Sequence, residues 1–422
     1  MPRSHFSANE GETRMIRLKS VIGSCILASA LLQAVIAQAA TYYVATTGSD
    51  SNPGTSSQPW RTVAHATSKM VAGDTTYVRG GTYNEGEIRF VRSGTQSAPI
   101  KLLNQSGQLP VINCTTAKSS YPRIYLLGSG PTPSARAIGW VTIEGFEIRN
   151  CYNGIKFENA HDLTIRRNWI HHSASAGILG YGTRVLIDRN RINSNASATI
   201  PNHGIYANGS AFTVTNNLIY SNYNYGIQLN GTVSYNSATH VSPDYALSAN
   251  WIIANNTFAY SLRAAAIVVW GSTCNNTRID DNIFYENAVS ASTSNPQGIN
   301  FVSTKCTGIL IRNNLAYATG SGGTIFLGAG ATQGVQYTQS GNIVNKTNPG
   351  FVYAPATVVA SPNFALTSQS PAINKGLTTA AKMAFNAIAR PQGTYYDMGA
   401  YEYYTGGSTA QLLLAPTSAS TF

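Results

Sequence analysis

Charged residues are scarce in this chain: Asp, Glu, Lys and Arg make up 11% of 422 residues. No cluster of Lys or Arg interleaved with aromatic residues occurs, which argues against a nucleic-acid partner. Acidic residues number 17 against 28 basic ones. Residues 1–40 hold four basic and two acidic side chains, so the remainder carries 24 minus 15, a net +9, a balance that suits an acidic partner. Cysteine is limited to five residues, with no spacing that matches a zinc site. After the first 40 residues nothing approaches the ~18 uninterrupted apolar residues of a membrane helix. Acidic residues that can bind calcium are present, but no loop has dedicated ligand spacing for that ion.

What the chain does have is a repeat. Across residues 141–316 an apolar residue, two variable residues, Asn, one variable residue and another apolar residue recur around Asn168, Asn190, Asn217, Asn256, Asn282 and Asn314. These asparagines stand 22, 27, 39, 26 and 32 residues apart. A second element keeps the same beat: Gly154-Ile155, Gly177-Ile178, Gly204-Ile205, Gly226-Ile227, Ala266-Ile267 and Gly298-Ile299. A unit of this size with three short β stretches and no helical period predicts a parallel β-solenoid, whose coils bury their core only by stacking. Equivalent residues then lie ~4.8 Å apart, and the asparagines are expected to form a structural ladder inside a tight turn.

A solenoid grows in one dimension, so residues 41–404 are expected to form a single elongated domain, most simply a monomer. Residues 1–40 read as a signal peptide: a basic stretch from Met15 to Lys19, an apolar run over residues 21–36, and Ala37-Gln38-Ala39 as a cleavage site. Translation is expected from Met15. Cys25 follows Ile22-Gly-Ser as a lipid-attachment site would, but the apolar run continues past it. Export makes disulfides available. Cys274 and Cys306 each stand five residues before a repeat Ile, Ile279 and Ile311, so adjacent coils place them at bonding distance; Cys114 and Cys151 close similar phrases and are expected to pair likewise. Residues 60–70 are expected to form a short helical cap. The Pro- and Gly-punctuated segments around Ser370-Pro-Ala-Ile373 and Asp397-Met-Gly-Ala-Tyr401 are expected to close the last coil, and residues 405–422 to form a loose tail.

Residues 42–55, Gln58-Pro-Trp60-Arg-Thr62 and residues 73–83 closely resemble the start of secreted bacterial right-handed parallel β-helix proteins, which include the calcium-dependent, lysine-base pectate lyases and some β-helical glycosidases. The closing Ser-Pro-Ala-Ile-Asn-Lys-Gly, Ala389-Arg-Pro-Gln-Gly393 and Asp-Met-Gly-Ala-Tyr-Glu-Tyr resemble the C-terminal segment of β-helix proteins of bacterial surfaces. The resemblance implies an all-β, right-handed parallel β-helix that is exported to the periplasm or beyond. The lysine-base lyases carry an Asn-Gly-aromatic-Lys-Leu phrase with Lys as base, to which Asn153-Gly-Ile-Lys156-Phe157 is similar. Their calcium-binding Asp-Asp-Gly-Phe-Asp phrase one coil earlier has no counterpart: residues 121–128 contain no carboxylate. A lyase built on this chain must therefore neutralise its substrate differently.

Strand alternation turns Lys156, Leu179, Tyr206, Gln228, Val268 and Asn300 outward as one row, with His172 and His203 on the turns leading into it. Such a row suits an extended, acidic polysaccharide. β-Elimination of a uronic acid needs a base for the C5 proton, an acid for the leaving oxygen and a group that stabilises the carboxylate. His203 or Lys156 is the expected base, Tyr206 the acid, and Arg184 or Lys156 the neutralising group. His172, Arg184, Gln228 and Trp270 are the expected substrate contacts; His171 with His172 reads more simply as a surface turn, and His65, His161 and His240 as structural. Two other classes compete. A hydrolase needs paired carboxylates, for which Asp280, Asp281 and Glu286, or Glu144, Glu147 and Glu158, are the densest sets; Asp280 stacked over Arg312 reads rather as a surface salt bridge. A non-catalytic polysaccharide-binding surface protein is the third.

Overall fold

The computed structural model describes residues 1, 39–114, 121, 123–128, 134–200, 202–231, 248–271, 274–288, 298–319, 327, 331–344, 347–379 and 381–406. Residues 2–38 of the expected signal peptide, His240 and nearly all of the expected tail lie outside them.

Each coil passes through three parallel faces. Face A contains Glu87–Phe90, Arg123–Leu126, residues 155–160 and 178–182 of two long strands, Ile205–Ser210, Ile227–Gly231, Ile267–Gly271 and Ile299–Phe301. Those long strands, Ile155–Arg166 and Ile178–Asp188, bend into face B, which continues through Thr213–Thr215, Ile252–Ala254, Arg278–Asp280 and Ile309–Arg312. Face C contains Glu147–Arg149, Trp169–His171, Arg191–Asn193, Leu218–Tyr220, Thr257–Ala259, Ile283–Tyr285 and Leu315–Tyr317. The Gly-Ile register is as read: Ile155, Ile178, Ile205, Ile227, Ile267 and Ile299 pair in sequence and all are fully buried. Burying each such side chain contributes ~1.5–3 kcal/mol, so the column drives stacking. Where face A bends into face B, Gly209 has φ 118° and a Cβ there would stand 1.7 Å from the Gly182 carbonyl oxygen, so the coils approach only without a side chain.

The turn from face B to face C uses one left-handed residue per coil, Arg167, Arg189, Asn216, Asn255, Asp281 and Asn313, followed by the repeat asparagine. The asparagines form the expected ladder, Nδ2 of each donating to Oδ1 of the next from Asn168 through Asn314 at 2.9–3.1 Å. The same Oδ1 also accepts the preceding asparagine's backbone N–H. Buried turn polarity is thereby satisfied without water. A second, unanticipated ladder at the turn into face A joins Asn195 to Asn222 at 3.0 Å.

Both disulfides form, Cys114–Cys151 and Cys274–Cys306, with Cα separations of 4.8 and 4.9 Å. The N-terminal helix is Val63–Lys69, shorter than residues 60–70, because Thr62 caps it and Trp60 instead bridges to Val44. Its first N–H groups, on Val63 and Ala64, donate to the Glu85 carboxylate at 2.7 and 2.8 Å, which favours an anion at that end. Among the described residues, the C-terminal segment does not lie across the last coil. Its Phe364, Leu366, Ala372, Met398 and Ala400 pack against Leu218, Tyr260, Ile283 and Leu315, along the outer side of face C.

Candidate functional site

Face A presents the expected row in register: Lys156 pairs with Leu179, Leu179 with Tyr206, Tyr206 with Gln228, Gln228 with Val268 and Val268 with Asn300. The row also extends backward, because Lys156 pairs with Tyr125 and Tyr125 with Arg89. Three cations surround the Tyr125 ring: the Arg123 guanidinium lies 4.2 Å from its centroid, Arg89 5.3 Å and the Lys156 ammonium 5.4 Å. Two carboxylates accompany them. Glu158 binds Lys156 at 2.6 Å, and Glu87 binds Arg123 at 3.1 Å. Burial, reinforced by Glu158, pushes the Tyr125 phenol well above its usual range, so it stays protonated.

Two coils on, roughly 10 Å from Lys156 by strand spacing, stands an amide and aromatic cluster. The His203 ring lies 5.4 Å from Tyr206 and 5.4 Å from Tyr225. Tyr206 Oη accepts Asn230 Nδ2 at 2.9 Å, Tyr225 Oη accepts Asn300 Nδ2 at 3.1 Å, and Gln228 bonds the imidazole. Burial raises the Tyr206 pKa, which leaves a neutral phenol with its proton free to donate. The second outward row, two residues further along each strand, is Tyr181, Asn208, Asn230 and Trp270. Asn208 is 1% exposed, yet neither end of its amide has a partner among the described residues.

Several expectations need correcting. His203 is 6% exposed and its Nδ1 is sealed from solvent, so it does not reach a substrate as folded; Tyr225, one coil on, covers it. It backs Tyr206 instead. Arg184 lies outside the row, at the bend between faces A and B, where it binds Asp162 bidentately at 2.8 and 2.7 Å. His172 is exposed at the end of face C, outside the row, with 2.5 Å between its Nδ1 and that of His171. His171 is not a surface residue: it is stacked on Trp169 and bonded to Glu147. Gln228 and Trp270 both lie on face A, but only Trp270 is exposed; Gln228 is buried and bonded to His203. Of the carboxylates, Asp280 is fully buried between Arg278 and Arg312, Asp281 accepts the Leu377 N–H from the C-terminal segment, Glu286 accepts the Thr319 N–H, and Glu144 holds Arg166 and Arg167. They anchor the fold.

Burial holds the His203 pKa down at about 4, against 6.5 for a free imidazole. The neutral ring is therefore favoured in the folded state; its contribution is full above pH 6.5 and is lost as pH falls through about 4. The thermal midpoint should drop across that window, and a His203→Phe chain should show a shallower drop. Equal slopes would count against a buried neutral imidazole.

A family model described as "Right handed beta helix region" matches residues 139–354, half of the chain. The chain belongs to the right-handed β-helix family. A β-helix model described as "Pel9A-like, right handed beta helix region" matches residues 42–198, which include the Tyr125 and Lys156 coils. Among curated proteins, this β-helix chain is 44% identical over 71 residues to "Uncharacterized protein YwoF" of Bacillus subtilis, 17% of this chain and 15% of that protein. It is 40% identical over 86 residues to "Pectate lyase PEL9" of Emericella nidulans, 20% of each. The matched stretches thus span a fifth or less of those relatives. The crystal structure of pectate lyase Pel9A superposes with a TM-score of 0.52 at 16% identity, covering 86% of this chain and 96% of that one, a likeness of fold.

Proposed function

We propose that this β-helix protein is a secreted polysaccharide lyase that cleaves an acidic, uronic-acid-containing polysaccharide laid along face A. The observation that carries the reading is the set of cations around Tyr125, one coil before Lys156 and in register with it. Abstracting the C5 proton places charge on the neighbouring carboxylate, and fixed cations in a partly dry site stabilise that charge as it develops. Arg123 and Arg89 hold the carboxylate. Lys156, released from Glu158 and having given a proton to solvent, takes the C5 proton as the neutral amine; the C–H electron pair forms the C4=C5 bond as the C4–O bond breaks, and the leaving oxygen takes the Tyr206 proton. Solvent then takes the gained proton from Lys156 and returns one to the phenolate, restoring base and acid together. His203 positions Tyr206, and the helix Val63–Lys69 caps the first coil.

The calcium ion that the family resemblance brings to mind does not fit these residues. The described carboxylates of face A near Lys156, Glu87 and Glu158, are each committed to a cation, and no group of three metal-ligating side chains occurs among the described residues. No step here runs through a metal.

The test is ultraviolet absorbance of the unsaturated product while the purified protein is incubated with uronic-acid polysaccharides, with and without chelator. The expected result is a rise that chelator leaves unchanged. New reducing ends without absorbance would replace elimination by hydrolysis, and a trace abolished by chelator would overturn neutralisation by arginine.

A further inference from the structure

Charge on face A is divided sharply along the solenoid. The coils carrying Glu87–Phe90, Arg123–Leu126 and residues 155–160 present Glu87, Arg89, Arg123, Lys156 and Glu158. From residue 178 onward the face-A strands, residues 178–182, Ile205–Ser210, Ile227–Gly231, Ile267–Gly271 and Ile299–Phe301, contain no Asp, Glu, Lys or Arg. Residues 232–247 and 272–273, which follow two of these strands in sequence, and residues 289–297, which precede the last, contain no Lys or Arg either. Arg263 and Lys305 stand on turns bordering these strands, Arg263 over the Tyr223 ring at 6.0 Å. The uncharged stretch from Lys156 to Asn300 covers five strand spacings, about 24 Å. It is surfaced by phenols, carboxamides and one large exposed ring, Trp270, at 44%.

Resting on the lyase reading above, we infer that face A takes a linear heteropolysaccharide in which one uronic acid is followed by neutral sugars. The carboxylate sits at the Arg123 and Lys156 end, and the neutral sugars run over Tyr206 and Trp270. Two physical facts carry the inference. A carboxylate pressed against a wall without cations loses its hydration uncompensated, so a chain with a carboxylate on every residue is opposed by the uncharged coils. Amides and aromatic rings, in contrast, match hydroxyls and the apolar faces of sugar rings.

The experiment compares polymers matched in uronic acid but not in its frequency. β-1,4-Polyglucuronate is set against deacylated gellan, and polygalacturonate against the alternating rhamnogalacturonan backbone. Binding is read by calorimetry and cleavage by product absorbance. The sparsely charged member of at least one pair should show a kcat/KM at least tenfold above its homopolymer. In a Trp270→Ala chain that ratio should shrink about tenfold, the order expected for loss of one aromatic stack. Equal or better use of the homopolymers, or a ratio that Trp270→Ala leaves in place, would overturn the neutral-sugar assignment while leaving the lyase intact. Neither binding nor cleavage of any polymer would remove the lyase reading itself and this inference with it.

Discussion

Replacing Asn217 by Ala should cost about 4 kcal/mol of unfolding free energy, a large share of the stability of an ordinary domain. Asn217 lies in the middle of the ladder and is fully buried. Its Nδ2 donates to the Ile187 carbonyl at 2.8 Å and to Asn256 Oδ1 at 2.9 Å, and its Oδ1 accepts the Asn190 backbone N–H at 2.8 Å and Asn190 Nδ2 at 3.0 Å. Alanine takes a partner from the buried Asn190 backbone N–H, from the Asn190 Nδ2 hydrogen not held by the Ile165 carbonyl, and from the Ile187 carbonyl, each loss costing about 1–3 kcal/mol before relaxation. Because each coil is stabilised by its neighbours, the loss spreads to both sides of the turn. Asn113 is the control: it belongs to a short side-chain chain with Asn84 and Asn150, at 2.6 and 2.7 Å, that faces solvent. Asn113→Ala should cost under about 1 kcal/mol, since water replaces the lost bonds. Denaturant unfolding of both variants separates the cases, and equal midpoints would show that the ladder accompanies the fold without holding it.

The ladder was legible because an asparagine with an inward neighbour on each side returns at every coil, and only a stacked solenoid gives it that role. The same register placed Cys274 beside Cys306 and ordered the row from Lys156 to Asn300. Alternation says whether a side chain points in or out, but not what then covers it. That is why His203, read as an accessible base, is sealed under Tyr225, and why Asp280, read as a surface ion pair, is buried between Arg278 of its own strand and Arg312 of the next coil. The cations around Tyr125 were out of reach for another reason. They come from three strands, two of them in coils that lack the repeat phrase, so nothing in the sequence aligned Arg89 with Tyr125. One signal was available: the stretch missing the calcium phrase contains Arg123 and Tyr125, and an arginine where carboxylates were expected is itself a way to neutralise a uronate. The path of the C-terminal segment along face C was hidden because its contacts, such as Asn255 Nδ2 to the Asp397 carbonyl, join residues 142 apart.

The second large effect expected is on catalysis. Lys156→Gln should lower kcat about a thousandfold, within the range for removing a general base, with KM changed little. Its ammonium has one hydrogen-bonding carboxylate, Glu158, so the change leaves that group unpaired beside Tyr125. A Lys156→Gln, Glu158→Gln pair restores neutrality there and should remain folded and inactive, which separates lost chemistry from lost structure. Tyr206→Phe removes a hydroxyl bonded by Asn230 and should lower kcat at least a hundredfold at unchanged thermal midpoint. Combined with Lys156→Gln it should add little further, because acid and base act in one step. Arg123→Gln should differ in kind: a residue that holds the carboxylate in both ground and transition states raises KM as well as lowering kcat. His203→Phe, behind Tyr206, should alter stability more than rate. Retention of more than about a tenth of the rate by Lys156→Gln, which lies far outside a general base's share, would remove Lys156 as the base and move the chemistry to Tyr206 alone.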